Sequence, residues 1–138
     1  MNNTLLIDTN MLLYAIDADS KFHDDALRLI SSTDYELFIT SKNISEFLVE
    51  LTRNSEIEID SCEALEILDD ILWNLKILYP NSTTFQKFNE LICKYHPKGL
   101  WIHDIEIASI AISYGVYKVA TRNIDDFKRI KEIEVVTL

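Results

Sequence analysis

The fold of this chain follows from Leu5-Leu6-Ile7 and the polar residues Asp8-Thr9-Asn10 behind them. Three consecutive apolar residues between polar ones are typical of a strand that is buried on both faces of a parallel sheet. The next predicted element is a short helix over residues 10–17. Asp8 therefore stands where a buried strand stops, and a charge in such a place costs free energy unless something compensates it.

Strands and helices alternate along the rest of the chain. Apolar runs predict further strands at residues 36–40, 76–79, 116–120 and 133–136. Helical spacing predicts helices over residues 10–17, 23–31, 43–53, 104–114 and 125–130, with two more beginning near Asp60 and Asn81. This alternation predicts a single α/β domain over residues 1–138, with a mostly parallel sheet of four or five strands and helices on both faces. In such sheets, ligands bind beyond the carboxyl ends of the strands.

Composition and charge narrow the class of protein. The 138 residues fit one domain, and 48% of them are apolar, which is enough for a core. No apolar stretch is long enough to cross a bilayer, and the first residues hold no basic segment of a signal peptide, so we expect a cytoplasmic protein. The net charge of -10 argues against a broad basic face for nucleic acids. It is compatible with an acidic metal site in a nuclease and with a small basic partner.

The cysteines and the large aromatic residues are predicted to be structural. Cys62 and Cys93 match no metal-binding spacing, and both lie in helical patterns where we expect small buried side chains. Four aromatic residues are expected to fill the core or its rim: Trp73, Trp101, Phe85 and Phe88.

Four acidic residues stand where the most apolar segments stop. Asp8 follows the first strand, and Glu46 lies in the helix after the second. Asp104 begins an almost entirely apolar helix, and Asp126 comes shortly after the fourth strand. Carboxylates that face one point repel each other, and Mg²⁺ or Mn²⁺ removes that conflict. A metal also makes a water acidic enough to attack phosphorus, so a converging set predicts a site that cleaves phosphodiesters.

These residues and their neighbours resemble the motifs of PIN-domain ribonucleases, in the order of that family and over almost the whole chain. The matching segments are Leu6-Ile7-Asp8-Thr9-Asn10, Ser45-Glu46-Phe47, His103-Asp104 with Ile107-Ala108, and Thr121-Arg122-Asn123 with Asp126-Phe127. Length and motif style are most similar to the VapC-like toxin branch. Each motif alone is a weak signal, whereas four in order are a strong one.

The resemblance implies a PIN-like fold and a Mg²⁺- or Mn²⁺-dependent endoribonuclease, the toxin of a type II toxin–antitoxin pair. Asp8, Glu46 and Asp104 match the three acids of the family, as catalytic and metal-binding residues. The fourth such role passes to Asp126, because the neutral Asn123 stands where relatives commonly carry an acid. The adjacent acid at position 125 competes for this assignment.

Supporting residues and partners are implied in the same way. Asn10, Thr121 and Asn123 match polar positions that support the site. The implied partners are an RNA substrate, a cognate antitoxin and a second copy of the chain in a homodimer, with no membrane. The sequence leaves open which RNA is cut and whether one or two metals bind.

Each acid also has a structural explanation. Asp8 is in position to cap the following helix, and Glu46 to be a solvated helix residue. Asp104 and Asp126 are in position to complement a helix dipole. Two other functions also stay open. One is a catalytically inactive PIN-like binding module. The other is a different Mg²⁺-dependent phosphoryl-transfer protein, although Asn10 stands where a phosphoaspartate hydrolase carries a second acid.

Overall fold

Five parallel strands form the central sheet of the computed structural model, which describes residues 3–53 and 59–137. The strands are β1 (Thr4–Ile7), β2 (Glu36–Thr40), β3 (Leu75–Leu78), β4 (Lys118–Ala120) and β5 (Glu134–Val136). Their order across the sheet is β3-β2-β1-β4-β5, and every neighbouring pair is parallel. The predicted α/β class is thus confirmed.

Helices cover both faces of this sheet. They are α1 (Thr9–Ile16), α2 (His23–Ile30), α3 (Ser41–Thr52), α4 (Ser61–Ile71), α5 (Ser82–Tyr95), α6 (Trp101–Ser113) and α7 (Ile124–Lys128). Each predicted helix is present, and most ends differ from the prediction by one or two residues. Across the described ranges, no helix has the length and apolar character that a membrane crossing requires.

The residues of β1 face alternately into two hydrophobic cores. Leu5 and Ile7 belong to the core formed with α1, α2, α3 and α4, whereas Leu6 belongs to the core formed with α5, α6 and α7. All three are fully buried. This alternation explains the continuous apolar run, because successive side chains of a strand point to opposite faces and both faces are covered here.

Helix α6 runs through the middle of the second core. Its residues from Ile105 to Ile112 are buried, with the exception of Glu106. The helix begins at Trp101, three residues before the predicted start, so Asp104 lies within its first turn. After the helix, Gly115 has a φ of +77°, a conformation that glycine adopts without steric cost.

The order of the strands reverses beside β1. The chain builds outward from β1 through β2 to β3, and then returns to place β4 on the other side of β1. Where β1 and β4 end, the amide of Asp8 donates a hydrogen bond to the carbonyl of Ala120, the last residue of β4, at 3.0 Å. Parallel α/β sheets bind ligands in the crevice at such a reversal. Asp8 and the residues after Ala120 lie at that crevice.

Some side chains that were predicted to be buried are exposed. Cys62 and Cys93 are both exposed, so the prediction of buried cysteines is wrong. The exposed fractions of Trp73 and Phe85 are 69% and 68%, whereas the other two aromatic residues of that prediction pack half-buried against the second core. The error has a physical cause. Helices α4 and α5 carry apolar residues on more than one face, so spacing alone does not show which stripe packs inward.

Candidate active site

Asp8 directly follows β1 and caps α1 from a buried position, where the residue is 6% exposed. Its Oδ1 accepts hydrogen bonds from the amide of Thr9 at 2.9 Å and from Nδ2 of Asn43 at 3.1 Å. Its Oδ2 accepts one from the hydroxyl of Thr121 at 2.7 Å. Burial raises the pKa of Asp8, and the three hydrogen bonds lower it in part. The carboxylate therefore caps a helix and lies at the crevice at the same time.

Residues after β4 surround the second oxygen of Asp8. Thr121 Oγ1 accepts hydrogen bonds from the amide of Asn123 at 2.9 Å and from Nδ2 of Asn10 at 3.4 Å. Asn10 Oδ1 accepts one from the amide of Arg122 at 3.3 Å. The three residues that the sequence predicted to support the site therefore meet beside Asp8.

Asn43 links α3 to this carboxylate, although the sequence did not predict it as a site residue. It is fully buried in the first turn of α3. Its Nδ2 donates to Asp8 Oδ1 at 3.1 Å and to Thr9 Oγ1 at 3.0 Å. Its Oδ1 accepts from the hydroxyl of Thr40 at 2.6 Å and from the Thr40 amide at 3.3 Å. Both ends of the side-chain amide are thus used, and α3 is held against the end of β1.

Glu46 joins the same network through Thr9. The hydroxyl of Thr9 donates a hydrogen bond to Glu46 Oε1 at 3.1 Å. Burial raises the pKa of Glu46, the hydrogen bond from Thr9 lowers it, and the charge of Asp8 raises it again. Glu46 therefore lies close enough to Asp8 for the two carboxylates to repel each other.

A cavity of about 460 Å³ opens between α1, α3 and the first turn of α6. It is lined by Asp8, Thr9, Asn10, Leu13, Lys42, Ser45, Glu46, Val49, Glu50, His103, Asp104 and Asn123. The positions from α3 recur every three or four residues and form one stripe of that helix. Three of the four predicted acids therefore share one cavity, and each comes from a different element.

Asp104 gives the strongest electrostatic sign that the acids converge. Burial raises the pKa of Asp104, and the negative charges of the other three predicted acids raise it further, to about 7. Coulomb energies fall with distance, so these charges act from nearby. Without a cation, Asp104 is thus about half protonated near neutral pH.

Asp126 lies at the edge of the site, outside the described lining of the cavity. Its charge raises the pKa of Asp104, while its own Oδ1 accepts a hydrogen bond from Arg129 at 3.0 Å. The side chain of Asp126 is 38% exposed, compared with 91% for Asp125, which pairs with Lys128 at 3.4 Å. Of the two adjacent acids, Asp126 is the one whose charge raises the pKa of Asp104.

The chemistry of these groups fits a hard divalent cation. Carboxylate oxygens are the ligands that Mg²⁺ and Mn²⁺ prefer, and the raised pKa values reflect burial and repulsion that a cation would relieve. Among residues 3–53 and 59–137, no three His, Cys, Asp or Glu side chains are already arranged to hold a metal ion. The site therefore suits a divalent cation through its carboxylate oxygens and through the space between them. Mg²⁺ keeps several waters and needs only one or two direct carboxylates, which suits a cavity of this size.

Few sequence patterns indicated that Asn43 and Thr9 would hydrogen-bond to the acids. Asn43 precedes Glu46 by three residues, so the two share a helical face, and this spacing is the signal that was present. The contact of Asn43 with Asp8 joins residues 35 positions apart and depends on how the sheet assembles. Thr9 lies inside the first motif, but nothing in the motif indicates that its hydroxyl reaches Glu46.

The chain matches a known protein family and resembles several solved structures. A family model described as PIN domain matches residues 5–133. Among curated proteins, none matches the chain significantly. A similar solved structure is VapBC2 from Rickettsia felis bound to a DNA fragment from its promoter, with 22% identity, 98% of each chain covered and a TM-score of 0.76. DNA-bound VapBC from Salmonella typhimurium has 22% identity, covers 99% of this chain and 98% of its own, and has a TM-score of 0.71.

A third similar structure is VapC20 from Mycobacterium tuberculosis, described as a toxin that cleaves the sarcin–ricin loop. Its identity is 12%, the match covers 92% of this chain and 95% of that chain, and the TM-score is 0.70. At these identities the likeness to the three structures shows a shared fold.

Proposed function

Because this chain belongs to the PIN-domain family, we propose that it is a Mg²⁺- or Mn²⁺-dependent endoribonuclease and the toxin of a toxin–antitoxin pair. One observation carries the proposal: Asp8, Glu46 and Asp104 come from three separate elements and line one cavity. Helix capping and dipole effects would each explain one acid, but they do not require the three to share a cavity.

In this proposal, Asp8 and Asp104 hold the cation, and Glu46 and Asp126 complete the cluster by holding water or a second ion. The hydrogen bonds of Thr121 and Asn43 fix the carboxylate of Asp8, so it need not reorganise during the reaction. The raised pKa of Glu46, which is not one of the two main ligands in this proposal, makes its carboxylate a better proton acceptor near neutral pH.

A bound divalent cation supplies Lewis acidity, which makes a water acidic enough to attack phosphorus and offsets charge on the phosphate oxygens. This chemistry needs no serine, cysteine or histidine nucleophile. RNA is proposed as the substrate from the family and from the described activity of VapC20.

We propose two protein partners for this chain, an antitoxin and a second copy of itself. Solved relatives are complexes named VapBC, which supports a cognate antitoxin for this chain. A small basic antitoxin segment complements a protein with a net charge of -10. We also propose a homodimer and a cytoplasmic location.

The test replaces Asp8 by Asn, which keeps the size of the side chain and its Oδ1 acceptor. We expect RNA cleavage to fall by more than about a hundredfold, since loss of an outer-shell partner alone costs about 10- to 100-fold. Asp60→Asn is the matched control, because Asp60 caps α4 as Asp8 caps α1 but lies exposed. Cleavage of total cellular RNA is measured together with the circular dichroism spectrum of each variant.

Two outcomes would contradict the proposal. Full activity of the Asp8→Asn variant would refute the assignment of the site. A wild-type chain that neither cleaves RNA nor binds Mn²⁺ would instead support the inactive binding module.

A further inference from the structure

Lys42 brings a positive charge into a cavity that is otherwise acidic. It lies in the first turn of α3, one helical turn before Glu46 and on the same stripe of the helix. Among the described residues that line the cavity, it is the one lysine or arginine. Lys42 therefore lines the same cavity as the carboxylates proposed to do the chemistry.

The ion pair that Lys42 forms within the protein is weak. Its Nζ lies 3.7 Å from Oε1 of Glu106, which is longer than a hydrogen bond, and the two side chains are 27% and 39% exposed. By comparison, Lys76 and Glu36 are 3.1 Å apart, within hydrogen-bond length. Long, partly exposed pairs contribute little to stability and are easily exchanged. Glu106 is thus a partner that a stronger anion can replace.

We propose that Lys42 binds a phosphate of the RNA adjacent to the one that is cleaved, and that Glu106 holds the lysine until the RNA arrives. This inference rests on the proposed ribonuclease function. A strand of RNA carries one phosphate per nucleotide, and a cavity lined by carboxylates repels every phosphate that no cation faces. A cation held by Asp8 and Asp104 would offset the charge of one phosphate, and Lys42 would bind the next.

A contact of this kind positions the substrate and does not read its bases. Phosphate contacts fix the register of a nucleic acid on a protein, whereas contacts to base edges select the sequence. Lys42 is therefore a positioning residue that sets which bond of the strand lies over the carboxylates. A purely structural role is the competing explanation, in which the pair of Lys42 and Glu106 only holds α3 against α6.

The two explanations predict different results for the two halves of the pair. If the lysine binds RNA, Lys42→Gln weakens RNA binding, whereas Glu106→Gln strengthens it by releasing the lysine. If the pair is only structural, both variants lower the melting temperature and neither changes the affinity for RNA. The matched controls are Lys76→Gln and Glu36→Gln, which remove the same charges from a pair at the amino ends of β2 and β3.

Binding is measured by fluorescence anisotropy with a labelled pool of RNA hairpins that have randomised loops. Each variant is made in the Asp8→Asn background, so that the RNA stays intact. We expect Lys42→Gln to weaken binding roughly tenfold, as for the loss of one charge-assisted contact. We expect its salt dependence, log K against log salt concentration, to be less steep by about 0.7 to 1. Lys42→Arg should retain most of the affinity.

Cleavage kinetics with active enzyme give a second, independent result. With Asp8 intact, Lys42→Gln should raise KM about tenfold and change kcat little, because the lost interaction is made in substrate binding. Equal affinities and equal salt slopes for Lys42→Gln and Lys76→Gln would overturn the inference. A wild-type chain that cleaves no RNA would refute the proposed function, and the anisotropy result would still decide on Lys42.

Discussion

Three hydrogen bonds hold the carboxylate of Asp8, and the shortest of them comes from Thr121 at 2.7 Å. A donor to the charged form of a buried acid lowers its pKa and fixes its direction. Thr121 carries no charge, yet its hydroxyl also accepts hydrogen bonds from Asn123 and Asn10. A single hydroxyl thus connects the ends of β1 and β4 at the point where the cation is proposed to bind.

Replacing Thr121 by Val removes the hydroxyl and keeps the shape of the side chain. We expect Mn²⁺ affinity and RNA cleavage to fall about 10- to 100-fold, as for other partners of metal-ligating groups. The free energy of unfolding should fall by about 1–3 kcal/mol, because buried polar groups lose a partner. Calorimetric titration with Mn²⁺ and a cleavage assay measure the first effects, with Thr121→Ser as the control that keeps the hydroxyl. A Val variant that binds Mn²⁺ as tightly as the wild type would contradict this role.

The raised pKa of Asp104 predicts how the stability of the metal-free protein depends on pH. Its pKa is about 7 in the folded chain, compared with 3.8 for an ordinary aspartate. Between these values the folded chain binds more protons than the unfolded chain, so the stability of the metal-free protein falls as pH rises through that window. Because Asp104 is partly exposed, solvent screening makes this loss of stability smaller than the full pKa difference implies. Asp104→Asn should remove the loss and melt about 3–6 °C higher than the wild type near pH 8 in EDTA, which corresponds to about 1 kcal/mol. Thermal unfolding near pH 5 and pH 8 measures the effect, and a pH dependence identical to that of the wild type would contradict it.

At the scale of elements, α3 is fixed at its start by side chains that also hold the site. Thr40 and Asn43 form a reciprocal capping box, and Asn43 uses its remaining donors on Asp8 and Thr9. The first turn of the helix therefore sets the distance between β1 and the stripe that carries Glu46. Helix α5 begins with a similar box, between Asn81 and Thr84, that is away from the cavity.

Variants of the two capping boxes distinguish the effect of helix capping from an effect on the site. Asn43→Ala should destabilise the chain by about 2–3 kcal/mol, because it removes a cap and leaves buried groups without partners. Thr84→Ala, which breaks the box of α5, should cost about 1 kcal/mol. Only the change at position 43 should also reduce Mn²⁺ affinity and cleavage. Urea unfolding and Mn²⁺ titration compare the variants, and equal losses of Mn²⁺ affinity in both would count against the link between α3 and Asp8.

The sequence was sufficient for the elements and for the order of the acids along the chain. Short apolar runs locate buried strands well, because a doubly covered strand needs no alternation. It was not sufficient for Asn43, whose importance arises from a contact with Asp8 across 35 residues. It also failed on Cys62 and Phe85, because helices with apolar residues on several faces do not reveal which face packs inward. Local patterns therefore predict where elements lie, whereas burial and side-chain partners depend on the assembled sheet.

For the molecule as a whole, the acidic cavity stores unfavourable electrostatic energy. The net charge is -10, and burial raises the pKa of Asp8, Glu46 and Asp104. A ligand that binds only the folded state stabilises it by mass action. The cation of the proposed function should therefore also act as a stabiliser of the fold.

Adding Mn²⁺ should raise the melting temperature at constant ionic strength. At about 100 times Kd, the expected gain is about 2.7 kcal/mol, and EDTA should reverse it. The Asp8→Asn and Asp104→Asn variants should lose most of this gain, whereas Asp60→Asn should keep it. Differential scanning calorimetry measures the shift, and an equal rise in all variants would indicate nonspecific screening of the surface charge.

The reversal of strand order beside β1 also has a consequence for synthesis. Asp8 is translated before its hydroxyl partner Thr121, which follows 113 positions later. A nascent chain on the ribosome therefore has no finished pocket until β4 and the residue behind it have emerged and paired with β1. A protein proposed to attack RNA therefore has no complete site to use against its messenger and ribosome while the residues between Asp8 and Thr121 are being made.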